Sequence, residues 1–359
     1  MKVPNIHHSE PRTGSTSSRS GKWRGALGAL AATSLLLVAC GGETSGENPE
    51  IELSVAIFTP ENDMFSENFR QWSEAVEEAT EGRVTFEPHY AGSLVPQSGA
   101  YEAVEDGTAD VVLVAAHALS NRFPEVAFLE GIGAFPPHVF DDYEPFYDEA
   151  TEAFESVFAD VELLTWGPSS QDWVFAHRTH HLVQPDDFSG QLVRTTGPVQ
   201  GDQLTALGAS PTTIDPADLY VSLQTGQVDG SITTPPLLVS LNVLEVAPYV
   251  THVNAGANPI FWLANSDSWD QISQEDQEAA AEALREVGIS TPEMFSELEQ
   301  EAWEAIENDP GADVLTLDEE QMELLLTEIV PVVENEADNA AERSEAGAEL
   351  AEIFSGESE

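Results

Sequence analysis

Carboxylates are everywhere in this chain and cations are scarce: 65 Asp and Glu stand against 12 Lys and Arg in 359 residues, a formal net charge of −53. Paired carboxylates are the tools of glycoside hydrolysis, but at this density coincidence explains any pair. Arginine is the informative residue instead. After Lys22 there is no lysine, and beyond Arg24 the cations are Arg70, Arg83, Arg122, Arg178, Arg194, Arg285 and Arg343. The run His177-Arg178-Thr179-His180-His181 has spacing that would hold a metal by two imidazoles; an exposed loop before Pro185 is the simpler reading. Gly-x-Ser-x-Gly, His-Glu-x-x-His, P-loop, dinucleotide and EF-hand signatures do not occur. No metal or cofactor is therefore expected. The one cysteine, Cys40, excludes an intramolecular disulfide and a cysteine-based metal centre.

The first 24 positions hold five of the cations, and an apolar stretch at 25–39 follows. Fifteen residues are short for a membrane span. The stretch ends in Leu37-Val38-Ala39-Cys40 and then Gly41-Gly42, which resembles the lipobox of bacterial lipoproteins. That resemblance implies a signal peptide at 1–39, a lipidated Cys40 at the head of the mature chain, and a polar tether at 40–50. An uncleaved signal anchor is the alternative. The acidity excludes nucleic acid as a partner, since phosphate binding needs clustered Lys and Arg. It suits a surface kept soluble at high salt. A hydrophobic content of 41% argues against wholesale disorder.

These residues must be positioned by an α/β scaffold. Strands are expected at 51–58, 84–89, 110–116, 161–166, 191–195, 210–214, 229–233, 249–253 and 260–264. Helices are expected between them at 67–79, 97–105, 141–159, 199–207, 217–225 and 237–246. Such alternation predicts parallel sheets with helices on their faces. Two long helices at 274–287 and 292–307, and a last one near 319–353, would follow. Ligands in open α/β sheets sit beyond strand C-termini. That makes Phe58, Trp166, Trp173 and Phe261 candidate cleft walls, with core packing as the alternative. His117, just after the strand at 110–116, would donate to a ligand or be an ordinary loop histidine.

Six stretches in order resemble the solute-binding proteins of TRAP transporters, the DctP-like family. They are Thr80-Glu81-Gly82-Arg83-Val84, Gly107-Thr108-Ala109-Asp110-Val111, the run 186–194 ending in Leu192-Val193-Arg194, Leu207-Gly208-Ala209-Ser210-Pro211, the run 218–230 from Asp218-Leu219-Tyr220 to Val228-Asp229-Gly230, and Asn265 with Trp269. Together they cover roughly 51–300.

The resemblance implies a two-lobed, periplasmic-binding-protein-like fold of two α/β domains joined by hinge strands, with long C-terminal helices. Carried over, lobe I takes 50–171 and 259–298, and lobe II takes 172–258 and 299–355. It implies that Arg194 grips a substrate carboxylate bidentately, since guanidinium offers two parallel N–H donors to two oxygens. A structural ion pair is the alternative. Thr233, Thr234 and Asn265 join Arg194, Trp173, Phe58, His117, Trp166 and Phe261 as expected contacts. Many relatives carry a second arginine about 20 residues upstream of the first; here 171–175 reads Gln-Asp-Trp-Val-Phe, and Arg178 lies a few residues off. One carboxylate with an apolar or hydroxylated remainder is thus the expected ligand. The implied protein is no enzyme: it sits outside the cytoplasm, is held to the membrane through Cys40, and delivers an organic acid to a membrane permease. An ABC-type binding lipoprotein and an extracytoplasmic hydrolase are the competing readings.

Overall fold

The computed structural model describes residues 49–135, 139–140, 142–169, 172–256 and 258–355. The leader, Cys40 and most of the tether lie outside them.

The chain opens with β1 (Ile51–Ala56) and α1 (Met64–Ala79). Asp63 caps α1 by accepting from the Phe65 N–H, which starts the helix three residues earlier than its apolar spacing suggests. Phe69, Trp72 and Val76 form its buried face. Then come β2 (Val84–His89), α2 (Ala100–Glu105), β3 (Val111–Ala115), α3 (Ala116–Leu119), α4 (Tyr143–Val157) and β4 (Glu162–Pro168). The chain crosses to a second sheet through β5 (Trp173–His177), α5 (Pro185–Phe188), β6 (Leu192–Thr195), α6 (Pro198–Ala206), β7 (Ser210–Thr213), α7 (Leu219–Thr225), β8 (Gly230–Thr233), α8 (Pro235–Ser240) and β9 (Tyr249–Val253). It returns with β10 (Pro259–Ala264), α9 (Ser266–Trp269) and α10 (Gln274–Asn308), and finishes with β11 (Asp313–Thr316), α11 (Glu319–Arg343) and α12 (Glu345–Ser355).

Two sheets result, ordered β2-β1-β3-β10-β4 and β11-β9-β5-β8-β6-β7. This is the two-lobed α/β arrangement, but the expectation of all-parallel sheets needs correction. β10 runs antiparallel to both β3 and β4, and β5 runs antiparallel to both β8 and β9. Both are the strands that arrive from the other sheet, so they enter from the opposite end. Beside the crossings, the Ser169 N–H donates to the Asn258 carbonyl at 2.7 Å.

Other expectations change with tertiary contacts. The long helix α10 is continuous through Pro292, joining the two helices expected at 274–287 and 292–307. An interior proline costs about 3 kcal/mol. Burial of Leu284, Thr291 and Phe295 against α1 and the first sheet outweighs it, with Asn68 donating to Thr291 Oγ1 at 3.2 Å. The last helix is instead split: Ser344 takes an extended conformation, and its Oγ accepts from the Gly347 N–H at 3.0 Å. β5 and the edge strand β11 have no counterpart among the expected strands. His177 is no exposed loop residue: it closes β5 and is 1% exposed, with Nε2 3.1 Å from Gln191 Oε1 and Nδ1 accepting from the Thr179 and His180 N–H groups.

α11 serves both sheets. Leu325 and Ile329 pack with the second sheet's Phe175, Val193 and Val253, while Val333, Ala340 and, from α12, Phe354 pack with the first sheet's Trp166 and Phe261.

Candidate functional site

β6 lies between β7 and β8, pairing Arg194 with Thr212 on one side and Ser231 on the other. The side chain is fully buried. Its Nε donates to the Ile214 carbonyl at 2.8 Å and Nη1 to the Ile232 carbonyl at 3.3 Å, so the sheet's own backbone holds the guanidinium in plane. Nη2 has no partner, and among the described residues no carboxylate forms an ion pair with it. Burial lowers its pKa to about 10, opposed by the charge of Asp215; the group stays cationic at neutral pH. A cation fixed on two sides by carbonyls, with its remaining nitrogen buried and unspent, is arranged to receive an anion.

A cavity of ≈ 20 Å³ lies between the sheets, about the space of one water; Arg194 does not line it, but its charge reaches His117, which does. A wider one of ≈ 290 Å³ shares His117, Thr196 and Pro216 with it. Phe58, Trp173, Thr233 and Thr234 line the smaller cavity, as the sequence suggests. Trp173 Nε1, Thr233 Oγ1 and Thr234 Oγ1 are buried without partners. Two further unpartnered groups were not foreseen: Ser169 Oγ and Asn258 Oδ1, one beside each crossing. Buried polar atoms are nearly always satisfied in native proteins, so this concentration around one cavity marks a place built for a hydrogen-bonding guest.

Three expected contacts lie elsewhere. Trp166 stacks on Tyr147, ring planes 4° apart, with Nε1 donating to Thr151. Phe261 packs on Phe154 and Phe158, and the neighbouring Ile260 lines the cavity instead. Asn265 caps α9 and donates to the Val104 carbonyl. Arg178 is about one-third exposed, 4.0 Å from Asp229, and lines neither cavity. Across the cleft Asp63 accepts from Ser240 at 2.8 Å and Asp215 from Ser98 at 2.9 Å, so side chains around both sheets already touch.

The family model for bacterial extracellular solute-binding proteins, family 7 (DctP), matches residues 55–339. The chain belongs to this family. Its members are receptors of TRAP transporters, extracytoplasmic solute binders and not enzymes. The ectoine-binding periplasmic protein TeaA of Halomonas elongata is 30% identical over 176 residues, 47% of this chain and 51% of that protein, so the match spans about half of that relative's length. The C4-dicarboxylate-binding protein DctP of Rhodobacter capsulatus is 25% identical over 78% of this chain and 90% of its own length. The sugar acid binding protein of Advenella mimigardefordensis, solved with galactonate, superposes with a TM-score of 0.78 at 17% identity, covering 87% of this chain and all of that one. A TRAP solute-binding protein of Desulfovibrio salexigens, solved with orotic acid, gives 0.76 at 21% identity over 85% and 98% of the two chains. The DctP fold thus extends over nearly the whole described structure. Among the described residues no helix is long and apolar enough to cross a membrane.

Proposed function

We propose that this DctP-family protein captures an organic acid between its two sheets, its carboxylate on Arg194, and delivers it to the membrane permease of a TRAP transporter. The lobes divide near 172 and 259, as the sequence suggests, with the α11–α12 pair shared between them. The protein is held at the outer face of the membrane by a lipid on Cys40. The observation that carries this reading is the buried, carbonyl-braced guanidinium with a free Nη2, whose charge acts on His117 in the wall of a cavity rich in unspent polar atoms. Relatives named for ectoine and C4-dicarboxylates, and neighbours solved with galactonate and orotate, all handle acids. The cavity is too small for such a guest as it stands. The lobes must part about the crossings after β4 and β9, then close and exclude water, which strengthens the ion pair. The family match favours neither the ABC-type nor the hydrolase reading.

A thermal-shift screen against organic acids tests this. A ligand that binds only the folded state at 100 times its Kd adds about 2.7 kcal/mol, so at least one monocarboxylate should raise the Tm by several degrees. A flat response to every acid, with neutral sugars or cations giving the shift instead, would remove the carboxylate reading.

A further inference from the structure

His117 sits at the junction of the two cavities and is 9% exposed. Its Nε2 lies 3.0 Å from Gln97 Oε1, an atom that only accepts. With Gln97 Oε1 facing it, the imidazole carries its proton on Nε2, and the Gln97 amide nitrogen is left buried without a partner. Nδ1 is left bare, buried and without a partner. Burial and the nearby Arg194 charge push the ring's pKa down to about 3, which keeps it neutral at physiological pH. The donor role expected from the sequence is thus reversed: toward the cavity this ring offers a lone pair. Arg194, whose charge acts on the ring, keeps its Nη2 unspent, and that group donates. The pair presents a donor for a carboxylate oxygen and, beside it, an acceptor for a ligand hydrogen.

The rest of the smaller cavity's lining contains no carboxylate among the described residues. An ammonium group there would meet no counter-charge and would add to the positive field of Arg194. The wider cavity's Asp215 already accepts from Ser98.

We propose that His117 determines specificity within the carboxylate site, selecting acids that carry an uncharged donor, a hydroxyl or neutral N–H, on the carbon next to the carboxylate. Gln97 is the positioning residue that fixes the tautomer. The proposal rests on the carboxylate reading above and adds the identity of the neighbouring group. An unsubstituted acid leaves Nδ1 unpaired, and a 2-oxo acid sets two acceptors against each other; both should bind worse. An α-ammonium acid supplies a donor but also an uncompensated charge.

Calorimetric titration of the purified protein with matched acids tests this: 2-hydroxybutanoate, butanoate and 2-oxobutanoate, then pyroglutamate and its N-methyl derivative. The donor-bearing member of each set should bind about tenfold tighter, and His117→Phe should erase that ratio. Gln97→Leu, which frees the tautomer, should shrink the ratio. Nitrogen-15 spectra of the wild-type imidazole provide a readout that does not depend on a variant folding: Nδ1 should be unprotonated and should shift when the hydroxy acid binds. Equal affinities within each set, or a protonated Nδ1, would overturn the selectivity while leaving the carboxylate site standing. Failure of all five acids to bind would overturn the carboxylate reading and this inference with it.

Discussion

Glu130 is another buried ionisable group, and it behaves oppositely to Arg194. It is fully enclosed; Oε1 accepts from the Gln200 N–H at 2.8 Å and Oε2 from Ser120 Oγ at 2.6 Å. Gly197 is extended there, and any β-carbon would strike the carboxylate. Burial raises the pKa to about 8, more than those hydrogen bonds lower it, and the charge of Asp202 adds to the rise. A folded-state value above the unfolded one means that the folded protein binds the extra proton. The stability that proton brings is fully present below about pH 4.5 and is lost as pH rises through about 8. The effect is on the order of a few kcal/mol. Glu130→Gln fixes the neutral form, so its Tm should change less than the wild type's between pH 5 and 8.5, with the two curves furthest apart at the alkaline end. Parallel curves would show that Glu130 does not titrate in that range.

At the scale of elements, α10 illustrates how contacts overrule local preference. Glycine inside a helix normally costs about 1 kcal/mol relative to alanine. Gly288 is the exception, because a β-carbon there would collide with the Tyr147 ring, which stacks on Trp166 and meets Thr165 through its hydroxyl at 3.0 Å. Gly288→Ala should therefore destabilise, by about 1–3 kcal/mol through overpacking, where a surface helix would gain; equilibrium denaturation gives the sign. The sequence shows why such elements are partly legible. β9 falls at 249–253 as its periodicity says, and β2 at 84–89 likewise. β5 did not show, because its apolar run Trp173-Val174-Phe175-Ala176 has no alternation to separate it from a crossing segment. The same cause misplaced the cleft walls. β10 is buried on both faces, so nothing in its composition says that Ile260 and not Phe261 faces the cavity. Arg194 was singled out by the family motif in which it stands, and Thr233 and Thr234 by their place at the end of the strand at 229–233. Ser169 and Asn258 were not, since a small polar residue beside a crossing looks like any loop residue until the other lobe is placed against it.

At the scale of the whole molecule, the chain crosses between sheets after β4 and after β9, passes once more through α10, and closes with α11 against both. Such connections let two rigid halves part without either losing its core. Cations are so scarce in this acidic chain that one of the seven arginines after position 24 placed wholly inside, without a carboxylate partner among the described residues, is costly unless something offsets it. Under the proposed function, a bound acid offsets it. The most direct measurement is the affinity for whichever acid raises the Tm, compared among wild type, Arg194→Lys and Arg194→Ala in one buffer. Both variants should lose at least about a hundredfold, because lysine keeps the charge but not the planar pair of donors, while their circular dichroism stays that of the wild type. Wild-type affinity in a folded Arg194→Ala protein would contradict the account.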